Sequence, residues 1–386
     1  MVSAETTATW QQTVVALDRG DFTLLDELLR SKNVSLIELL AANGEPADEM
    51  NEAFAFACMV GRANEAEALL DKGVDPYAGM KTWLAGPHWA ASSGQLDIIK
   101  MLIVKKIPLE IENKYGGTVL GQALWSAVNE HSASHAEIIE CLIMAGAEVE
   151  PGTLEWWEEQ KVPVAETKRK VCEILRQHSK LRCQIDALQN EVGNAESSGS
   201  KKLLADSLRS LGNLLRRPPF LRDAANEAYH RAAALYRELD MPLEAAWILR
   251  HIGINHEYAE LLTEAERYYD ESLALFRQHA NDDDNNYANT VRYPAVIKNR
   301  VGKRAESKAL WEEAVRRYDA MNQPLGVAEG AAWLTIFAIE NEDLARAREW
   351  FAKAERAATT LNDGDTDKWI AEVRTRLSGA ETARRD

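Results

Sequence analysis

A triplet of small, aromatic and small residues recurs at a nearly fixed interval along the second half of the chain, and this repeat limits the fold more than any other feature. In each copy an aromatic residue follows the first small residue by four positions, and the second small residue comes three later. The first members of the copies are 40, 42 and 40 residues apart. Such spacing predicts an array of helical hairpins, in which each hairpin buries its apolar face against its neighbours. The copies are Ala225/Tyr229/Ala232, Ala265/Tyr269/Ser272, Ser307/Trp311/Ala314 and Ala347/Phe351/Ala354.

Acidic charge is concentrated in the first part of the chain. The 386 residues include 45 Lys/Arg and 61 Asp/Glu, which gives a net charge of −16. Residues 1–150 contain 10 Lys/Arg and 22 Asp/Glu, or −12, which leaves 35 against 39, or −4, for the remainder. Nucleic-acid backbones and anionic membrane surfaces need a basic face, so we expect neither as a partner.

The cysteines and the apolar segments indicate a soluble protein of the cytoplasm. Four cysteines show no CxxC spacing, and we expect them to be reduced thiols. No apolar run reaches the length of a membrane span, and residues 1–20 lack the features of a signal peptide. We therefore expect a cytoplasmic protein without a cofactor. The cysteines are Cys58, Cys141, Cys172 and Cys183.

A second repeat, with a shorter and less even period, occupies residues 1–150. Gly20, Gly61 and Gly94 are each followed, after eight and nine residues, by a pair of Leu or Ile residues. This spacing predicts pairs of helices with a glycine in the tight turn between them. The apolar pairs are Leu28/Leu29, Leu69/Leu70 and Leu102/Ile103, and Leu142/Ile143 fits the same frame with Ser134 in place of the glycine.

The segment from His88 to Leu102, HWAASSGQLDIIKML, closely resembles an ankyrin repeat. The resemblance covers about four repeats and is strong only in this one, while the others are degenerate. Pro87 stands where the family usually has Leu, and Gly121 where it has His. The family implies a curved surface whose inner helices and loop tips contact a folded partner. We therefore predict an ankyrin-repeat domain over residues 1–150.

Between the two repeats the sequence predicts one amphipathic helix and one linker. Apolar residues from Val171 to Leu188 fall at steps of three and four residues, which is typical of a helix with one buried face. We predict a capping or connecting helix within residues 151–192, with dimerisation through this helix as the alternative. Residues 193–201, GNAESSGSK, have the only flexible composition in the chain, and we predict a domain boundary there.

The 40-residue units resemble tetratricopeptide repeats (TPR). Leu211-Gly212 and Ile252-Gly253 match the paired residues in the first helix of that family, and the small/aromatic/small triplets match its second helix. We predict four TPR-like hairpins over residues 202–378, followed by a frayed tail at 379–386. In the third unit Pro294-Ala295 replaces Leu-Gly, so the helix is expected to kink or restart there.

The TPR resemblance implies that the first helices line a groove, and it places three arginines there. Arg209, Arg250 and Arg292 come three residues before Gly212, Gly253 and Ala295. The planar fork of arginine fits carboxylates, and asparagine amides can hold a peptide backbone. We predict an acidic peptide or protein segment as the ligand, although salt bridges between helices would explain the same residues. The candidate binding residues are Arg209, Asn213, Arg250, Asn289, Arg292 and Asn299.

The resemblance to one known TPR binding mode is incomplete. Arg209-x-x-x-Asn213 is similar to half of the carboxylate clamp with which some TPR proteins grip an acidic C-terminus. The other half is missing, because Tyr293 and Glu329 stand where that clamp has basic residues.

Other spacings imitate metal sites, and we predict no metal. His131 and His135 have ligand spacing but lie in an inserted loop, and the Asp282/Asp284/Asn286 and Asp363/Asp365/Asp367 runs lack the glycine and glutamate of a calcium loop. No phosphate-binding loop, dinucleotide fingerprint or nucleophile elbow is present in the sequence, so we expect no enzyme.

Together these patterns predict an all-α protein, an ankyrin-repeat stack plus a TPR-like superhelix, that acts as a non-catalytic scaffold for partner proteins or acidic peptides. The acidic N-terminal part could itself supply the acidic segment, which would make the molecule self-inhibited or self-associating. The alternative is a regulator in which a small ligand or metal changes the angle between the arrays.

Overall fold

The computed structural model describes residues 12, 24, 47–78, 84–129, 134–281, 284–361 and 363–384, and all regular secondary structure in these ranges is helical. The all-α class predicted from the repeats is therefore confirmed. The chain divides into two compact units. Unit 1 is Met1–Gln184 with Pro218–Phe220, and unit 2 is Ile185–Arg217 with Leu221–Asp386. Among the described helices, none is both long and apolar enough to cross a membrane.

Unit 1 contains pairs of short helices. The first members of the pairs pack on one another in chain order, and so do the second members. This stacking is what an ankyrin-type array would show, and the ankyrin assignment itself stays a prediction. The described helices of unit 1 are α1 (Ala47–Val60) and α2 (Ala63–Asp71), α3 (Gly86–Ser92) and α4 (Leu96–Val104), α5 (Val119–Asn129) and α6 (His135–Met144), then α7 (Thr153–Glu159) and the start of α8 (Ala165–Ser198).

The turns and the core of these pairs follow the sequence repeat. Gly61 and Gly94 lie in the turns within the first two pairs with φ of 81° and 72°, a region that favours glycine. Leu69, Leu102 and Leu142, one from each apolar pair, are at most 2% exposed. The predicted repeat around Gly20 and Leu28/Leu29 lies outside the described residues.

Helix α8 differs from the predicted helix and linker. It continues through Ser198, so only Gly199 and Ser200 separate it from the next helix. The segment is helical because Val192 and Ala195 are buried and because Glu196 forms an ion pair of 2.5 Å with Arg231. The Gly- and Ser-rich composition of residues 193–198 therefore does not produce a flexible linker.

Unit 2 is an array of TPR-like helical hairpins. Consecutive helices pack against each other, and the last helix packs on both helices of the fourth hairpin. We call α9, α11, α13 and α15 the first helices, and α10, α12, α14 and α16 the second helices. Their bounds are α9 (Lys201–Leu215), α10 (Arg222–Glu238), α11 (Pro242–Tyr258), α12 (Leu262–His279), α13 (Asn285–Arg300), α14 (Arg304–Ala320), α15 (Pro324–Glu340), α16 (Leu344–Ala358) and α17 (Gly364–Ala383).

The small and aromatic residues of the repeat pack where two helices of a hairpin approach closely. A Cβ on Gly212 would lie 2.5 Å from the ring of Tyr229, and one on Gly253 would lie 2.6 Å from the ring of Tyr269. Both tyrosines are fully buried. The glycines of α9 and α11 therefore make room for the aromatic residues of α10 and α12, which is the physical reason for the paired signals in these two hairpins.

Two terminal or irregular segments are more helical than the sequence predicts. Helix α13 continues through Pro294 instead of restarting there. Helix α17 extends to Ala383, because Leu377 is buried and Glu381 accepts a hydrogen bond of 2.6 Å from Arg348. The predicted tail at 379–386 therefore begins with helical residues.

Candidate peptide-binding face of unit 2

The three predicted arginines occupy equivalent positions on successive first helices, and each reaches toward the next first helix. Arg209 on α9 contacts Trp247 on α11, Arg250 on α11 contacts α13, and Arg292 on α13 contacts α15. We call the surface that carries these arginines the arginine face. The three residues therefore share a position on successive first helices, but their surroundings differ.

Arg209 is the most exposed of the three. Its side chain is 37% exposed, and its guanidinium carbon lies 5.9 Å from the ring centroids of both Tyr236 and Trp247. The nearest carboxylate belongs to Asp206, at 3.9 Å. That carboxylate already accepts hydrogen bonds of 2.6 Å from Tyr236 and 2.7 Å from Lys202. Arg209 is therefore an accessible and weakly paired cation held between two aromatic rings.

Arg250 is 6% exposed and has only neutral hydrogen-bond partners. Nη1 donates to the carbonyl oxygen of Asn286 at 2.8 Å and to Oγ1 of Thr290 at 3.0 Å, and Nη2 donates to Oδ1 of Asn286 at 3.2 Å. Nε is buried without an acceptor, and the described residues bring no carboxylate within 4.0 Å of the guanidinium. Burial lowers the pKa of Arg250. The protein thus holds a buried cation without a counter-ion.

Arg292 is neutralised by Glu329, a residue that stands where a carboxylate clamp would have a cation. Nε and Nη2 of Arg292 donate to the two carboxylate oxygens at 2.6 and 2.9 Å. Burial acts to lower the pKa of Arg292, but the hydrogen bond and the charge of Glu329 outweigh it, so the pKa is raised. This geometry is the salt bridge between helices that the sequence left open as the alternative, and it occupies the fork of Arg292.

Tyr293 brings two of the three arginines together. The guanidinium carbons of Arg250 and Arg292 lie 6.0 and 5.4 Å from its ring centroid. Its ring also stacks on Tyr269 at 5.3 Å. Arg209 instead belongs to the separate cluster with Tyr236 and Trp247. The arginine face therefore consists of two clusters of aromatic and cationic side chains. One contains Arg209, and the other contains Arg250 and Arg292 around Tyr293.

The three predicted asparagines differ in which of their amide atoms have no hydrogen-bond partner. The carbonyl oxygens of Asn213 and Asn289 accept hydrogen bonds from Tyr229 at 2.7 Å and from Tyr318 at 2.9 Å. Within the described part of the chain their amide nitrogens donate no hydrogen bond. The Oδ1 of Asn299 is buried and has no donor. Asn213 and Asn289 are thus oriented so that their NH₂ groups remain available to a peptide carbonyl.

Lys298 is a buried structural cation of this unit that no sequence pattern indicates. It is 6% exposed, like Arg250, but its Nζ lies 2.8 to 3.0 Å from carboxylates of Glu266, Asp270 and Glu306. Burial acts to lower its pKa, and the three carboxylates together raise it. The partners lie on α12 and α14, so no local spacing indicates the cluster. Two equally buried cations therefore differ in that only one has its charge neutralised.

His251 is a buried residue that packs beside Arg209's aromatic partner Trp247. It stacks on Trp247, one helical turn earlier, with ring centroids 3.7 Å apart, and its Nδ1 donates to the carbonyl oxygen of Trp247 at 2.8 Å. Burial lowers its pKa to about 3, although this hydrogen bond acts in the opposite direction. An aromatic pair four residues apart on a predicted helix is a signal that could have identified the stack.

The residues that imitate metal sites have structural roles where they are described. His135 is fully buried, with Nε2 3.0 Å from the carbonyl oxygen of Ser92, and His131 lies outside the described residues. Asp284 and Asp363 cap α13 and α17 by accepting hydrogen bonds from backbone N–H groups. Asp282 also lies outside the described residues.

Comparisons with known proteins find distant structural likenesses. No protein-family model matches the chain, and no curated protein matches it by sequence. BtubC (BKLC) from P. vanneervenii has a TM-score of 0.43 and 17% identity, covering 52% of this chain and 87% of that one. A Rap protein complexed with competence and sporulation factor has a TM-score of 0.36 and 13% identity, covering 98% and 97%. The apo form of the quorum sensor NprR from B. thuringiensis has a TM-score of 0.32 and 13% identity, covering 97% and 98%.

Proposed function

We propose that this protein is a non-catalytic interaction scaffold and that the arginine face of unit 2 binds an acidic segment of a partner protein or peptide. The proposal rests on one observation, the buried charge of Arg250 that has no counter-ion among the described residues. Its guanidinium is buried among neutral groups, its Nε has no acceptor, and none of the described carboxylates lies within 4.0 Å.

A buried charge without a counter-ion opposes folding. Removing an ion from water costs on the order of several kcal/mol, and neutral hydrogen-bond acceptors recover only part of that cost. Lys298, which is equally buried, has three carboxylates that offset this cost. Arg250 is therefore a poor choice for stability alone, and a bound anion would supply the missing counter-charge.

The neighbouring groups provide the other contacts that an extended acidic peptide needs. Arg209 is accessible and weakly paired, so it can donate hydrogen bonds to a second carboxylate of the peptide. The amide nitrogens of Asn213 and Asn289 can donate to peptide carbonyl oxygens. Because Glu329 occupies the fork of Arg292, we propose that Arg292 orders the face and that Arg209 and Arg250 hold the ligand.

The test uses the full chain and a short fluorescein-labelled peptide of alternating glutamate and glycine, followed by fluorescence anisotropy. We expect Arg250→Met to weaken binding about tenfold or more. The stability of the free protein should stay within about 1 kcal/mol or rise, because methionine keeps the bulk and removes the buried charge. In the wild type Thr290 also donates to the carbonyl oxygen of Asn286, at 2.7 Å, and Arg250→Met removes neither group of this bond.

A matched control is Arg346→Met, which removes an exposed arginine from the second helix α16. It should leave the affinity unchanged. Equal affinities of the wild type and Arg250→Met, or equal losses in Arg250→Met and Arg346→Met, would show that the arginine face does not hold the peptide. A large loss of stability in Arg250→Met would show instead that the arginine is structural.

For unit 1 we propose an ankyrin-type stack as a second interaction surface. The support is the order in which the first helices α1, α3 and α5 and the second helices α2, α4 and α6 pack. The glycine turns and the buried leucine of each pair agree with this proposal.

A further inference from the structure

A cleft of about 880 Å³ in unit 1 exposes three aromatic side chains. Tyr115, Trp125 and Trp156 line it and are 78%, 55% and 40% exposed. A cleft of this volume is large enough for a ligand of several residues, and clustered exposed aromatic rings are typical of binding surfaces. None of the three rings belongs to the buried core cluster of unit 1.

One wall of the cleft is held in place by hydrogen bonds. Oδ1 of Asn113 accepts from the backbone N–H groups of Tyr115 at 2.9 Å and Gly117 at 3.0 Å. Buried His88 holds the same loop, with Nε2 3.0 Å from the carbonyl oxygens of Ile111 and Gly117. The loop is thus fixed in the free protein, which reduces the entropy lost when a ligand binds.

The described residues that line the cleft carry charge of one sign. Among them Glu148 and Glu150 are the only charged ones, and within the described part of the chain their carboxylates form no ion pair or hydrogen bond. The backbone N–H of Glu148 is fixed by the carboxylate of Glu110 at 2.9 Å. Residues 107–160 contain ten glutamates and a single lysine. A cationic group entering the cleft would therefore meet two unpaired carboxylates and the faces of aromatic rings.

We infer that this cleft binds a segment of a partner protein that presents a lysine or arginine side chain flanked by apolar residues. The cation would lie between the carboxylates and the tryptophan rings, and the apolar neighbours would pack on Leu120, Leu124 and Val149 of the wall. These apolar walls favour a peptide over a free polyamine, which has no side chains to bury there. The site belongs to unit 1 and uses none of the residues of the arginine face, so either proposal can fail without the other.

The experiment measures binding of a fluorescein-labelled peptide with arginine flanked by leucine and glycine to the full chain. We expect Trp125→Ala, and separately the double change Glu148→Gln and Glu150→Gln, to weaken binding about tenfold. Both changes are on exposed or unpaired side chains, so the variants should keep the circular dichroism spectrum of the wild type. The matched peptide with glutamate in place of arginine should not compete.

Two control variants remove similar groups elsewhere on unit 1. Glu137→Gln removes an exposed carboxylate on α6, and Val104→Ala shortens an apolar side chain that is 78% exposed. Both should bind the peptide like the wild type. The inference is overturned if the cleft variants bind as tightly as the controls, if the glutamate peptide competes, or if spermine displaces the peptide at equal concentration.

Discussion

His251 shows how one enclosed side chain couples the stability of unit 2 to pH. Burial lowers its pKa to about 3, whereas an unfolded histidine titrates near 6.5. Between these two values the unfolded chain binds a proton that the folded chain does not. The free energy of unfolding therefore falls as the pH falls below about 6.5, by up to about 1.4 kcal/mol per pH unit for this one group.

We predict that His251→Asn reduces this pH dependence. The asparagine NH₂ can replace Nδ1 as donor to the Trp247 carbonyl, but it does not titrate. Between pH 7 and pH 5 the variant should lose about 1 to 2 kcal/mol less unfolding free energy than the wild type, measured by urea denaturation. His279→Asn, which alters an exposed histidine on α12, is the control. An unchanged pH slope in His251→Asn would contradict the prediction.

At the residue scale, the sequence indicated the helix positions of the three arginines but not the side chains that they contact. The repeat placed Arg209, Arg250 and Arg292 at equivalent helix positions, because each comes three residues before the frame residue of its unit (Gly212, Gly253 or Ala295) and so lies on the same side of its helix. Whether each charge is neutralised depends on the residue about 37 positions later on the next first helix, as for Glu329. No local pattern contains that information.

At the scale of elements, the hairpins depend on glycines that face buried rings. The ring of Tyr269 cannot move away easily, because it is fully buried and its hydroxyl donates to Glu257 at 2.7 Å. A methyl group on Gly253 would lie 2.6 Å from that ring. Gly193, in the exposed part of α8, has no neighbouring atom within 4 Å of the same position.

We predict opposite effects of alanine at these two glycines. Gly253→Ala should lower the free energy of unfolding by about 1 to 3 kcal/mol, because the ring and the backbone must separate. Gly193→Ala should raise it by about 0.5 to 1 kcal/mol, because alanine favours the helix and meets nothing. Chemical denaturation of both variants measures the difference. Stabilisation by Gly253→Ala would mean that the hairpin has room for the methyl group.

The helical hairpins of unit 2 could be predicted from the sequence, since the triplet of small, aromatic and small residues recurs there at helical spacing. The ends of the helices could not be predicted in the same way. Residues 193–198 have a linker composition, but burial of Val192 and Ala195 and the ion pair between Glu196 and Arg231 keep them helical. Composition describes a segment in isolation, and these contacts come from elsewhere in the chain.

At the scale of the whole molecule, the net charge of −16 acts on both proposed ligands during their approach. Residues 1–150, which include most of the cleft of unit 1, carry −12 of this charge. A basic peptide is attracted over a distance of about the Debye length, roughly 10 Å at 0.1 M salt. An acidic peptide is repelled until it is close to the arginine face, where the local contacts favour it.

We therefore predict that salt changes the two association rates in opposite directions. For the arginine-containing peptide the rate constant of association should fall severalfold between about 0.02 and 0.3 M salt, because screening removes the long-range attraction. For the glutamate peptide it should rise or stay constant, because screening removes the repulsion. Stopped-flow fluorescence with the full chain measures both, with an uncharged peptide as control. A parallel fall for both peptides would mean that local charges near each site, rather than the net charge, control the approach.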